Sequence, residues 1–91
     1  MAEKILSEEE RKLRDTAAKV LPAGSFGNEG SGVVIRRGEG GHVWDVSGNE
    51  YVDYFGGHGA LILGHNYPGI IEATHAQLDR GTHFGAGHPA E

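Results

Sequence analysis

The sequence predicts an α+β chain: an N-terminal helix, a three-stranded antiparallel β-meander and a second helix. Three observations carry that prediction. A capped stretch with helical apolar spacing runs from Ser7 to Leu21. Alternating strands broken by glycine-bearing turns fill Val33 to Phe55. A proline-started apolar stripe begins at Pro68. The 91 residues form one segment, divided into a helix (7–21), a loop (22–32), the meander (33–55), a glycine-rich crossing (56–67), a helix (68–80) and a tail (81–91).

Ser7 followed three residues later by Glu10 is a capping-box pattern. Glu8, Glu9 and Glu10 occupy the first turn and Lys19 lies near the end, the charge order that complements a helix dipole. Leu6, Leu13, Ala17, Val20 and Leu21 share one face, and Pro22 stops the helix. The helix charges read as a solvated face. The loop PAGSFGNEGSG carries four glycines and one large apolar group, Phe26, which either pins the loop or lines a pocket.

Val33-Val34-Ile35 is the expected first strand, with a turn at Gly38-Glu39-Gly40-Gly41. His42 to Val46 follows, placing His42, Trp44 and Val46 on one face and Val43 and Asp45 on the other. Ser47-Gly48-Asn49 makes a tight turn into a third strand, Glu50 to Phe55, rich in Tyr, Val and Phe. Gly56 to Gly64 reads as irregular, surrounding the apolar Ala60-Leu61-Ile62-Leu63. Beyond Pro68, Ile70, Ile71, Thr74 and Leu78 form the stripe of the second helix, with Gly81 as its stop. The tail THFGAGHPAE has no periodicity and reads as chain that continues.

Hydrophobic residues are 37% of the chain and 16 residues are glycine, so only a thin core is expected and a second surface is needed to complete it. The net charge of −5 argues against nucleic acid or an anionic membrane as partner. The absence of cysteine excludes disulfides and thiolate metal sites. The charged N-terminus and lack of a long apolar run point to a cytoplasmic chain without a membrane span.

Three constellations invite a chemical reading. The six histidines (His42, His58, His65, His75, His83 and His88) show no helical metal-binding pair, and scattered structural roles account for them better than a metal site. Asp45 and Asp53 could form a carboxylate pair, but aspartates beside a turn more often bond local backbone. Glycines 56, 57, 59 and 64 match neither phosphate-loop spacing, and no helix follows them directly. They suit a sharp turn or a close backbone approach.

Taken in order, the helix ending in VLPAG, the stretch VVIRRGEGGHVWDVSGNEYVDYFGGHGALILGH, the helix opening PGIIEA and the closing RGTHFGA resemble the N-terminal segment of the class III aminotransferases. That family includes glutamate-1-semialdehyde 2,1-aminomutase. The resemblance implies a partial minor domain of a fold-type I enzyme that depends on pyridoxal 5′-phosphate. It also implies a small-molecule amino donor and acceptor, a homodimeric parent, and incompleteness without a downstream cofactor domain. The Schiff-base lysine of the family lies beyond the matched segment. Lys4, Lys12 and Lys19 all precede the meander and do not take its place.

The resemblance therefore implies no catalytic, cofactor-binding or metal residue in this chain and no cofactor bound by it alone. It implies a substrate-pocket wall at Ser25, Phe26, His58 and Gly59. Two departures bear on substrate. The loop PAGSFGNEG lacks the arginine that clamps a carboxylate in the aminomutases, and His58 stands where they tend to place tryptophan. Two readings stand beside this one: a non-enzymatic interaction module and, less favoured, a histidine-based metal-binding module.

Overall fold

The computed structural model describes residues 3–24 and 33–89. Helix α1 (Glu8–Val20) leads through a short 3₁₀ turn (Pro22–Gly24). Strands β1 (Ile35–Glu39), β2 (His42–Asp45) and β3 (Glu50–Val52) form one antiparallel sheet in sequence order. A single turn, α2 (Gly56–Gly59), and helix α3 (Pro68–Leu78) follow.

Ser7 caps α1, its Oγ accepting from the Glu10 N–H at 3.2 Å. The expected return bond from the Glu10 carboxylate does not form. The Ser7 N–H donates instead to Ser47 Oγ in the β2–β3 turn at 2.8 Å. Glu10 is 1% exposed, which corrects the reading of the helix charges as a wholly solvated face. Its carboxylate accepts from Arg14 Nη2 at 2.5 Å and Nε at 3.0 Å, and from Ser47 Oγ. A buried carboxylate is tolerated only when paired and hydrogen-bonded, and Glu10 has both. Alongside, Arg36 Nη2 in β1 meets Glu9 at 2.7 Å, and Asn49 exchanges bonds with the backbone of Ile5. The N-terminal end of α1 is thus docked on the sheet by polar groups.

The first strand begins at Ile35, the last residue of the Val33–Ile35 run that β preference singles out, and extends C-terminal to it. Its ladder pairs Ile35 with Asp45, then Arg37 with Trp44, Gly38 with Val43 and Glu39 with His42, with an irregularity at Arg36. Pairing decides the position. Arg37 sits 3.5 Å above the Trp44 ring, and the arginines lose nothing on an exposed edge face. The turn is correspondingly shorter than expected, Gly40-Gly41 between paired Glu39 and His42. The third strand stops at Val52 rather than Phe55, because Asp53 turns the chain by bonding the N–H groups ahead of it. Helix α3 ends at Leu78, before the expected residue 80, with Asp79 as its cap.

The buried core of the described residues is small: Ala17 and Val43, with Glu10 and Asp45 as buried polar groups. Asp45 accepts from the Asn49 N–H and Nδ2 and from the Tyr51 hydroxyl, each at 2.8 Å. Apolar side chains instead face outward along the crossing and α3, with Tyr54 95% and Ile62 89% exposed. The radius of gyration, 16.6 Å, exceeds the roughly 12 Å of a compact chain of this length. The thin core expected from composition is what the structure shows.

The crossing is tied back to the sheet at one point. Gly40 and His65 exchange backbone bonds, N–H to carbonyl in both directions, at 2.9 Å. A Cβ on Gly64 would stand 2.8 Å from the Gly40 carbonyl oxygen, and Gly64 has φ +79°. Gly40 also has positive φ, +56°, but its Cβ direction is open. Gly64→Ala is therefore expected to destabilise the fold by ~2–4 kcal/mol, combining a backbone clash with left-handed strain. Gly40→Ala should cost only ~1–2 kcal/mol. Urea midpoints of the two variants check the order.

Burial pushes the Asp45 carboxyl up, but the Asn49 side chain, the Tyr51 hydroxyl and the Asn49 and Ser47 backbone outweigh it and hold it below 3.8. Burial, then the bond to Asp45, pushes the Tyr51 phenol up to about 12. The fold thus favours ionised Asp45 and neutral Tyr51. Asp45's contribution is complete above pH 3.8 and lost as pH falls through its lowered value. Tyr51's is complete below pH 10.0 and lost as pH rises toward about 12. Tyr51→Phe should flatten the alkaline fall in thermal stability, read by circular dichroism melts across pH.

Candidate functional site

The site is built around the end of β3. Asp53 Oδ1 accepts from the Phe55 N–H at 2.8 Å and the Gly56 N–H at 3.0 Å. Its Oδ2 lies 2.5 Å from His65 Nε2, with both side chains largely shielded. The bonds from the Gly56 backbone, then His65, then the Phe55 backbone hold the Asp53 carboxyl below its ordinary value. The His65 ring crosses the open face of Gly38, where a Cβ would meet its Cγ at 2.5 Å. Asp53 and His65 thereby bracket the loop 54–64.

Within that loop the expected irregular segment contains one ordered turn. Gly57 (φ 60°, ψ 48°) and His58 (φ 62°, ψ 33°) are both left-handed. The Gly59 N–H bonds Phe55 O, and the Leu61 N–H bonds Gly56 O, each at 3.0 Å. Left-handed geometry is unusual for any residue with a Cβ. The His58 ring meets the Phe55 ring edge-on, with centroids 4.3 Å apart.

Of the residues singled out in the sequence, His58 and Gly59 stand adjacent and exposed on this turn. Ser25 and Phe26 lie outside the described residues. Asp45 and Asp53 serve different environments, each engaged by donors of its own surroundings. Among the described residues no group of three or more His, Asp or Glu side chains is placed to hold a metal ion. Three of the histidines have other partners: His42 lies 3.2 Å from Glu50, His65 meets Asp53 and His88 stacks on Phe84. The Asp53–His65 pair is a contact of the candidate site that sequence reasoning missed. Its signal was a histidine directly after a glycine that must approach another strand.

The sequence from residue 25 to 90 matches the family described as Aminotransferase class-III. The chain belongs to the class III aminotransferases. Its relatives include a glutamate-1-semialdehyde 2,1-aminomutase of Syntrophus aciditrophicus, 42% identical over 97% of this chain and 21% of that protein. Another of the same name, from Chloroflexus aggregans, is 49% identical over 63% of this chain and 13% of its own length. Among solved structures, a transaminase with PLP bound superposes with a TM-score of 0.79 at 32% identity, over 94% of this chain and 21% of that one. The aminotransferase segment described here therefore spans about a fifth of the length of such proteins. No helix among its described residues is long and apolar enough to cross a membrane.

The backbone strain at His58 is testable directly. His58→Asn should be near-neutral because asparagine tolerates left-handed geometry. His58→Val should destabilise the chain by ~1–3 kcal/mol. Chemical denaturation of the two variants distinguishes them.

Proposed function

We propose that this chain is the N-terminal part of a pyridoxal-phosphate-dependent class III aminotransferase or aminomutase, which moves an amino group on an amino acid or amine. The observation that carries this reading is the family match from residue 25 to 90, joined to a fold whose apolar crossing and α3 face outward. Such surfaces suit burial against a larger domain. Pyridoxal phosphate, when bound, supplies the electron sink for amino-group chemistry.

The residues described here do not by themselves fit that cofactor. Lys4 Nζ lies 4.8 Å over the Tyr51 ring, Lys12 Nζ is 3.8 Å from Glu8, and Lys19 belongs to the last turn of α1. The Asp53 carboxylate is engaged by two backbone N–H groups and His65 and is not left to face a pyridine nitrogen. In this reading the holding lysine, phosphate site and pyridine partner come from the rest of the enzyme. This segment contributes Ser25, Phe26, His58 and Gly59 to the substrate-pocket wall of a cytoplasmic homodimer. The missing loop arginine and the presence of His58 favour an amino substrate other than glutamate semialdehyde.

The test is a chimera in which these residues replace the matched segment of the Syntrophus aciditrophicus relative. A folded chimera is expected to bind pyridoxal phosphate and transaminate amino acids or amines, with glutamate-1-semialdehyde turnover below that of the unaltered relative. A soluble, folded chimera without cofactor overturns the proposal. So does an insoluble chimera accompanied by a cooperative monomeric melt of the isolated chain, the behaviour of an independent module.

A further inference from the structure

The loop 54–64 has one carboxylate at its start and that carboxylate's imidazole partner just past its end. Asp53 fixes the entry by binding the Phe55 and Gly56 N–H groups through one oxygen. The other oxygen meets His65 Nε2 at 2.5 Å. His65 is itself fixed by two backbone bonds to Gly40, and its ring is seated over Gly38. The Asp53–His65 contact therefore joins the two ends of the loop to each other, while the Gly40 bridge joins the far end to the sheet. Between those ends lies the left-handed turn that carries His58, a conformation uncommon for a residue with a Cβ.

We propose that Asp53 and His65 are positioning residues, a clamp that holds the left-handed turn so that His58 and Gly59 present one fixed wall to the amino substrate. The inference rests on the reading that this turn borders the substrate pocket. The clamp itself rests only on the geometry above. Loss of the His65 contact leaves Asp53 with one oxygen unpartnered among the described residues. The carboxylate is then free to rotate away from the two N–H groups it orders.

The experiment uses the chimera described above, with hydrogen exchange and steady-state kinetics measured on the same preparations. His65→Ala is expected to speed amide exchange at Phe55 and Gly56 roughly tenfold or more, while the Gly48 amide of the β2–β3 turn stays unchanged. Cofactor should remain bound. KM for the amino donor should rise about tenfold with a smaller change in kcat, and His65→Gln, which can still donate to Asp53, should recover part of both effects. In a His58→Ala background the further effect of His65→Ala on KM should largely vanish, since the two act through one turn.

Unchanged exchange at Phe55 and Gly56 overturns the clamp. Faster exchange with unaltered KM, or a KM effect undiminished by His58→Ala, overturns its positioning role. If His65→Ala does not fold, Asp53→Asn keeps one acceptor oxygen for the Phe55 and Gly56 N–H groups and sets an amide NH2 in place of the oxygen that meets His65, and the same signs are expected at smaller size. A parent chimera that lacks cofactor or activity counts against the preceding reading alone. Exchange at Phe55 and Gly56 in that folded chimera then decides the clamp.

Discussion

The structure beyond the sheet depends on one close approach: the backbone of Gly64-His65 lying against the β1–β2 turn. The paired 2.9 Å bonds between Gly40 and His65 are possible because position 64 carries no Cβ to strike the Gly40 carbonyl. Once that bridge forms, the His65 ring has a defined origin, and the bare face of Gly38 lets it run along the strand. The ring's far nitrogen then reaches Asp53, whose second oxygen sets the first bonds of the loop. Each step needs the one before it. A side chain at position 64 would disturb the turn at 56–59 without touching it.

A second set of polar contacts orients α1, and it works differently. Ser7, Arg14 and Ser47 surround the buried Glu10 carboxylate, Arg14 from the exposed side, and one serine pair serves both the helix cap and the hairpin turn. Buried ionic groups are poor sources of net stability, because desolvation offsets their attraction. Their value here is geometric. They fix the helix at one angle on a sheet whose apolar contribution to the core is little more than Val43. The inside of this chain is therefore latched by polar groups, while Tyr54, Phe55, Ile62 and the α3 stripe point outward. That inversion of the usual arrangement suits the proposed packing against a larger domain.

What was legible in the sequence was local. The ends of α1, the Pro68 start and the Ser47-Gly48-Asn49 turn depend on residues within four positions of each other, and the structure has them. The position of β1 was not legible, because a partner strand selected Arg37 and Gly38 over the more β-prone valines. Nor was the burial of Glu10, whose partner Ser47 lies 37 residues away. The Asp53–His65 pair was hidden for the same reason: both residues were visible, but their meeting depends on a backbone approach 12 residues along. Of the predicted wall, His58 and Gly59 adjoin by sequence alone. Nothing in the sequence indicated that His58 would be left-handed, since glycines flank it and would absorb such geometry more easily.

That last point bears on what the turn is for. A non-glycine residue in left-handed geometry costs about 1–2 kcal/mol, and the edge-on contact with Phe55 returns about 0.5–1.5 kcal/mol. The two nearly cancel, so packing within the turn supplies no clear gain from having a histidine there. Glycine would fit the backbone at position 58 as it does at 56, 57 and 59. On the proposed reading, the imidazole serves a contact outside the turn. It is exposed, it sits beside the open flank of Gly59, and the loop bearing it is held at both ends by a shielded ionisable pair. An unpreferred conformation held firmly at the surface makes sense where the side chain has a contact to make beyond its own chain.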